Sequence, residues 1–221
     1  MRLQLILSPN TEPVPFNHLH QLTGALHKWL GPNDLHDKMS FYSFGRLSNG
    51  EKIGNHLYFP QGSSWTVSFH DDDQAWQLAK GIIKDASLAY GMRVQQALEI
   101  TMPRFERRVR FAVDGEVIVR SPRPEGGRDY LLWTDERADK ALTQLLRRKL
   151  QVAGYSENHQ AATIKFDRQY AKARTKLMEI KGTKHKGSVC PVIIEATPEV
   201  MEFAWLVGVG ELTGSGFGAL K

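Results

Sequence analysis

Eight histidines, at positions 18, 20, 27, 36, 56, 70, 159 and 185, are the side chains of this 221-residue chain best suited to moving protons near neutral pH. Two stand out by position. His36 follows the turn residues Pro32 and Asn33, where a side chain can reach into a groove. His20 and His27 are seven residues apart, so on a helix both lie along one edge, with His27 nearer its end. Basic residues gather in three places: Arg104, Arg107, Arg108 and Arg110; Arg147, Arg148 and Lys149; and "KGTKHKG" (181–187) with Lys181, Lys184, His185 and Lys186. Clusters of this kind suit phosphate groups. Asp71, Asp72 and Asp73 are adjacent, so they do not converge on one ion, and they read as the charged first turn of a helix. Cys190, between valine and proline, reads as a core thiol.

Five glycines fall within residues 208–218. A P-loop is excluded, because none of them is followed by lysine and a Ser or Thr. A dinucleotide fingerprint needs its glycines between a strand and a following helix, and too little chain follows here for another helix. What remains is a loop between a last helix and a last strand, whose glycines permit positive φ and whose N–H groups could meet an anion. A tight turn imposed by packing is the competing explanation.

Charge divides the chain. Residues 1–100 carry 8 Lys and Arg against 9 Asp and Glu; residues 102–186 carry 20 against 11, within a net +5 overall. A basic half joined to a neutral one suggests a polyanionic partner held mainly by one side. With 41% hydrophobic residues the chain can build a core. A single cysteine permits no internal disulfide, and neither a signal peptide nor an apolar run of membrane-spanning length is evident. A cytoplasmic location without membrane attachment is therefore expected.

The elements that must position these residues follow from periodicity. "RLQLILS" (2–8) predicts a buried strand, and Leu19, Leu22, Leu26, Trp29 and Leu30 predict a helix stopped by Gly31-Pro32. Strands are expected at 40–47, 56–60 and 64–70, a helix from Asp71–Asp73 to Gly91, and a strand at 92–100. The second half repeats the order. A hairpin of 104–113 with 116–121 is expected around Asp114-Gly115, then a helix from Thr134 with the stripe Ala138, Ala141, Leu142, Leu145, Leu146 and Leu150. Strands at 163–167, 175–180 and 188–196 follow, and Thr197-Pro198 opens a last helix. This is an α+β chain of two tandem ferredoxin-like (βαββαβ, RRM-like) domains, 1–102 and 103–221, ending in the glycine-rich loop.

In that setting "GVGELTGSGFGALK" (208–221) resembles the glycine-rich loop of the RAMP superfamily. "LHDKMSFYSFGRL" (35–47) resembles the segment between first helix and second strand in that superfamily's CRISPR-associated endoribonucleases, which cut precursor CRISPR RNA within its repeats. Element order and length agree across essentially the whole chain. The resemblance implies a CRISPR repeat transcript as partner, no cofactor or metal, and attack of a 2′-hydroxyl on its own 3′ phosphate to leave a 2′,3′-cyclic phosphate. A base must take the hydroxyl proton, an acid must protonate the leaving 5′ oxygen, and cations must steady the phosphorane. His36 is the first catalytic candidate and His27 the second; Lys52 is preferred to Lys38 and Arg46 as the cation, and Tyr42 could orient the nucleophile. RNA contacts are expected at Arg104, Arg107, Arg108, Lys181, Lys184 and Lys186 and at Gly210, Gly214 and Gly216. A homodimer and a place in a CRISPR effector complex both stay open. So does a subunit of the same fold that binds guide RNA without cutting it. A small-molecule enzyme would need a convergent polar pocket that the sequence does not reveal.

Overall fold

The computed structural model describes residues 1–33, 35 and 38–221, with the backbone alone considered at 160. In chain order the first half contains β1 (Arg2–Leu7), β2 (Val14–Pro15), α1 (Leu19–Leu30), β3 (Tyr42–Phe44), β4 (Glu51–Ile53), β5 (His56–Tyr58), β6 (Ser63–Phe69), α2 (Asp72–Lys84) and β7 (Val94–Glu99). The second half contains β8 (Arg108–Phe111), β9 (Val113–Asp114), β10 (Arg120–Pro122), β11 (Arg128–Tyr130), α3 (Arg137–Val152), β12 (Thr163–Phe166), β13 (Arg174–Ile180), β14 (Thr183–Val189), β15 (Val192–Glu195), α4 (Pro198–Val207) and β16 (Ala219–Leu220).

Two sheets repeat one topology. The first runs β3-β6-β1-β7, with every neighbouring pair antiparallel. In the second, β12-β15-β8 and β9-β16 are joined through Ala112, and the pairs are again antiparallel. Counting only the core strands of each half, both rows read 2-3-1-4, the order that a βαββαβ unit produces. The chain is a tandem of ferredoxin-like folds.

The helices sit where their apolar stripes demand. α1 buries Leu19, Leu22, Ala25, Leu26, Trp29 and Leu30 and ends at Gly31, whose φ is 68°. α2 is capped by Asp71, whose side chain accepts from the Asp73 N–H at 3.0 Å. The triple aspartate is thus a helix start. α2 closes at Asp85, well before Gly91, the expected terminator, which instead has φ 72° in a turn.

One expected pairing is absent. Segment 116–121 does not fold back on β8. Val117 exchanges both backbone hydrogen bonds with Ser188 of β14, and Ile118 accepts from the Glu211 N–H at 2.9 Å. The stretch is fully buried at Val117, Ile118 and Val119, so its alternation serves a core between layers and not a hairpin. The hairpin lies further on, β10 with β11. A second hairpin, β13–β14, turns on Lys181 and Gly182, both with positive φ (47° and 78°), the conformation a two-residue hairpin turn requires.

The halves are packed into each other. Ile118, Met178 and Phe217 join the hydrophobic cluster of the first half. Phe41 packs against that of the second, 6.1 Å from Phe203 between ring centroids. The buried Arg2 lies over the Trp205 ring at 3.5 Å, and Ser43 Oγ donates to the Leu206 carbonyl at 2.8 Å.

Candidate active site

α1, β3 and the glycine-rich loop surround a cleft of about 320 Å³, with α3 beneath it. His27 reaches it from the edge of α1, Tyr42 from β3, Lys38 and Ser40 from the segment before β3, Gly210 to Ser215 from the loop, and Lys149 from α3. The apolar stripe of α1 decides which edge His27 occupies: with Leu26 and Leu30 turned inward, residue 27 is half-buried at the rim.

Asn33 orders the imidazole. Its amide is oriented by donation from Nδ2 to the Gly31 carbonyl at 2.7 Å and by the Leu35 N–H donating to Oδ1 at 3.2 Å. The same Oδ1 lies 3.2 Å from His27 Nδ1, so the ring donates there and the proton sits on Nδ1. In the neutral ring Nε2 then carries the lone pair, 3.4 Å from the Tyr42 hydroxyl. That hydroxyl also lies 3.3 Å from the Gly214 carbonyl. Burial pushes the Tyr42 phenol up to about 12, against a smaller opposing effect of Ser40, so it remains a protonated donor at neutral pH.

The glycines of the loop have separate reasons. A Cβ on Gly214 would fall 2.6 Å from both Ser40 Oγ and Tyr42 Oη. Only a bare backbone lets the loop approach the phenol. Gly210 (φ 76°) would meet the Ile118 carbonyl at 2.5 Å. Gly216 (φ 86°) would meet Phe44 at 2.6 Å and Leu19 at 2.9 Å, inside the first core, and does not line the cleft. Packing therefore requires Gly216, whereas Gly214 and Gly210 border the cleft.

The other expected residues are dispersed. His36 lies outside the described residues. Lys52 is exposed on β4, 5.7 Å from the Phe16 ring, and is not among the lining residues. Arg104 and Arg107 are exposed ahead of β8, and Arg108 on β8 pairs with Glu195 at 3.0 Å. Lys181, Lys184 and Lys186 are exposed on the β13–β14 hairpin. Lys184 and Lys186 are on a strand and not in a loop, and alternation turns both outward while His185 and Gly187 face in. Among the described residues no three His, Cys, Asp or Glu side chains stand together so as to hold a metal ion, and no helix is long and apolar enough to cross a membrane.

Lys149 is the residue that charge counting placed wrongly. Grouped with Arg147 and Arg148 as a basic helix end, it is instead 7% exposed. It donates to the Val207 carbonyl at 3.2 Å and to Thr213 Oγ1 at 3.1 Å. The signal was its spacing, three residues from Leu146 and seven from Leu142, on the buried stripe.

The family described as CRISPR associated protein Cas6, C-terminal, matches residues 100–221, more than half of the chain. The chain belongs to the Cas6 family. Solved structures of the same fold cover it end to end. A Cas6-related protein from Pyrococcus furiosus superposes with a TM-score of 0.86 at 20% identity, over 100% of this chain and 97% of that one. A RAMP protein described as binding different RNA substrates gives 0.82 at 21%, over 100% and 98%. A Cas6 product complex from Thermus thermophilus gives 0.71 at 15%, over 100% and 99%. No curated protein matches in sequence.

Proposed function

We propose that this Cas6-family protein is an endoribonuclease that cuts precursor CRISPR RNA within its repeats, without a metal ion, by 2′-hydroxyl attack that leaves a 2′,3′-cyclic phosphate. The observation that carries the reading is the convergence of His27, Tyr42, Lys38 and the glycine-rich loop on one cleft. His36 falls in sequence between Leu35 and Lys38, both of which line it. Solved relatives of the same fold include one described as binding RNA and one described as a product complex.

In this mechanism the neutral His27 ring, its proton on Nδ1 facing Asn33, takes the proton of the attacking 2′-hydroxyl on Nε2. The hydroxyl oxygen forms a bond to phosphorus as the bond to the leaving 5′ oxygen breaks, and His36 supplies the proton that oxygen needs. Asn33, accepting from Nδ1, holds the base in place, Tyr42 orients the nucleophile, and Lys38, in the cleft, takes the charge-stabilising role in place of Lys52. Residues 1–102 form the domain carrying the histidines and 103–221 the basic domain. The outward lysines of β13–β14, with Arg104, Arg107 and Arg108, contact the phosphates of the remaining RNA.

Incubation with CRISPR-repeat RNA, with and without EDTA, tests this. A fragment ending in a 2′,3′-cyclic phosphate is expected in both lanes. Cutting that EDTA abolishes and magnesium restores would overturn the mechanism. Binding without cutting would leave a guide-RNA-binding subunit of the same fold.

A further inference from the structure

Lys149 is a buried ammonium without a carboxylate at ion-pair distance among the described residues. Its two acceptors are informative. The Val207 carbonyl belongs to the C-terminal turn of α4, the negative end of that helix. Thr213 Oγ1 belongs to the glycine-rich loop, next to Leu212, which has the left-handed φ of 59° that a branched side chain resists. Lys149 thus ties the loop to the end of α4 and lies on the floor of the cleft.

We propose that a phosphodiester entering this cleft is neutralised from below by Lys149, which takes up a proton from solvent as the RNA binds, so that substrate binding and protonation of Lys149 are coupled. The inference rests on the RNA reading above and adds a positioning residue to it. Burial alone lowers the ammonium to about 7, so near neutrality the group divides between its two forms. An anion in a low-dielectric cleft favours the charged form, which draws the loop's Thr213 and the α4 carbonyl tighter. The proton passes from solvent to Nζ, and no other bond changes. Among the described residues, the other titratable groups facing the same cleft are His27 from α1, Lys38 and Tyr42 from the segment leading through β3, and Glu211 of the loop. Glu211 is engaged by Arg120, through the backbone N–H and Nε at 3.0 Å each, and by Arg128. Tyr42 is already protonated and adds no proton.

Calorimetric titration in buffers of different ionisation enthalpy counts the protons taken up. The probe is the uncut repeat RNA, its scissile 2′-hydroxyl replaced by hydrogen if the wild type cuts. At pH 8 uptake approaching about one proton is expected, falling to a small fraction at pH 6, where Lys149 is already mostly charged. Lys149→Gln, which keeps a hydrogen-bond donor but no titratable group, should bind with the pH 8 uptake removed, and His27→Ala should retain it. Binding by the wild type without uptake at pH 8 overturns the inference and leaves the RNA reading intact, with no variant needed. Uptake unchanged in Lys149→Gln overturns it too. Failure of the wild type to bind at either pH overturns both.

Discussion

The cleft between α1 and the glycine-rich loop and the β13–β14 hairpin use lysine in opposite ways. The hairpin displays Lys181, Lys184 and Lys186 to solvent on one two-stranded ribbon. In the cleft, polar groups constrain one another: the buried Tyr42 lies between the half-buried His27 and Gly214, and the buried Lys149 between Val207 and Thr213. Exposed charge is screened within about 8–10 Å at physiological salt and acts additively. A buried group changes its protonation and fixes geometry. The hairpin therefore suits affinity and the cleft suits chemistry.

The largest expected effect separates them outright. His27→Ala or His36→Ala should lower the single-turnover cleavage rate by roughly 10²–10⁴-fold, the usual contribution of a positioned proton-transfer group. RNA affinity should scarcely change. A variant of either histidine that cuts at the wild-type rate removes that residue from the mechanism, and the comparison with it if both do.

Within the cleft, two loop glycines should fail differently. Gly214→Ala puts a methyl against Tyr42 Oη and Ser40 Oγ without a positive-φ penalty, so cleavage should fall by roughly 10²-fold through misplacement alone, with the melting temperature nearly kept. Gly216→Val drives into Phe44 and Leu19 at positive φ and should cost about 1–3 kcal/mol or more of stability. Thermal unfolding beside a cleavage assay distinguishes them; equal melting temperatures would deny Gly216 its packing role.

On the hairpin, replacing Lys181, Lys184 and Lys186 together by alanine should weaken binding and flatten the slope of log affinity against log salt by roughly 2, at about 0.7 per lost contact to single-stranded RNA. Cleavage at saturating RNA should persist. An unaltered slope moves the RNA path off the hairpin.

The smallest effect sharpens the contrast between the lysines. Lys149 has its folded value lowered from 10.5 to about 7 by burial. Between those values the unfolded chain binds more protons, so this group makes stability rise with pH, by up to about 1.4 kcal/mol per unit. Below about 7 it is charged in both states and adds no slope. Lys149→Met should lose that rise between pH 7 and 9 and be the more stable protein at pH 6, whereas Lys184→Met should change neither. Parallel denaturation curves for wild type and Lys149→Met across pH would contradict the burial argument.

Much of the architecture is legible in the sequence. The α1 stripe, the Asp71 cap, the Thr197-Pro198 helix start and the order of elements all rest on contacts within a few residues, which spacing and side-chain chemistry express directly. Segment 116–121 was misread for the same reason in reverse. Its alternation demands two buried neighbours but does not name them, and Ser188 and Glu211 lie more than seventy residues away. The candidate site was legible only as a set of parts. His27, Tyr42 and Gly214 could each be singled out, yet nothing local states that a histidine on a helix edge, a strand tyrosine and a loop glycine meet.

Two βαββαβ units, a basic second half and a glycine-rich last loop are written into the sequence, because backbone preference, periodicity and charge are local properties. Tertiary structure alone decided that α4 and the loop insert between the halves, that Gly216 belongs to a core while Gly214 borders a cleft, and that one lysine of a basic run is buried beneath it. Those outcomes depend on which distant surfaces exclude water together, and burial converts an ordinary lysine or tyrosine into a group with altered protonation.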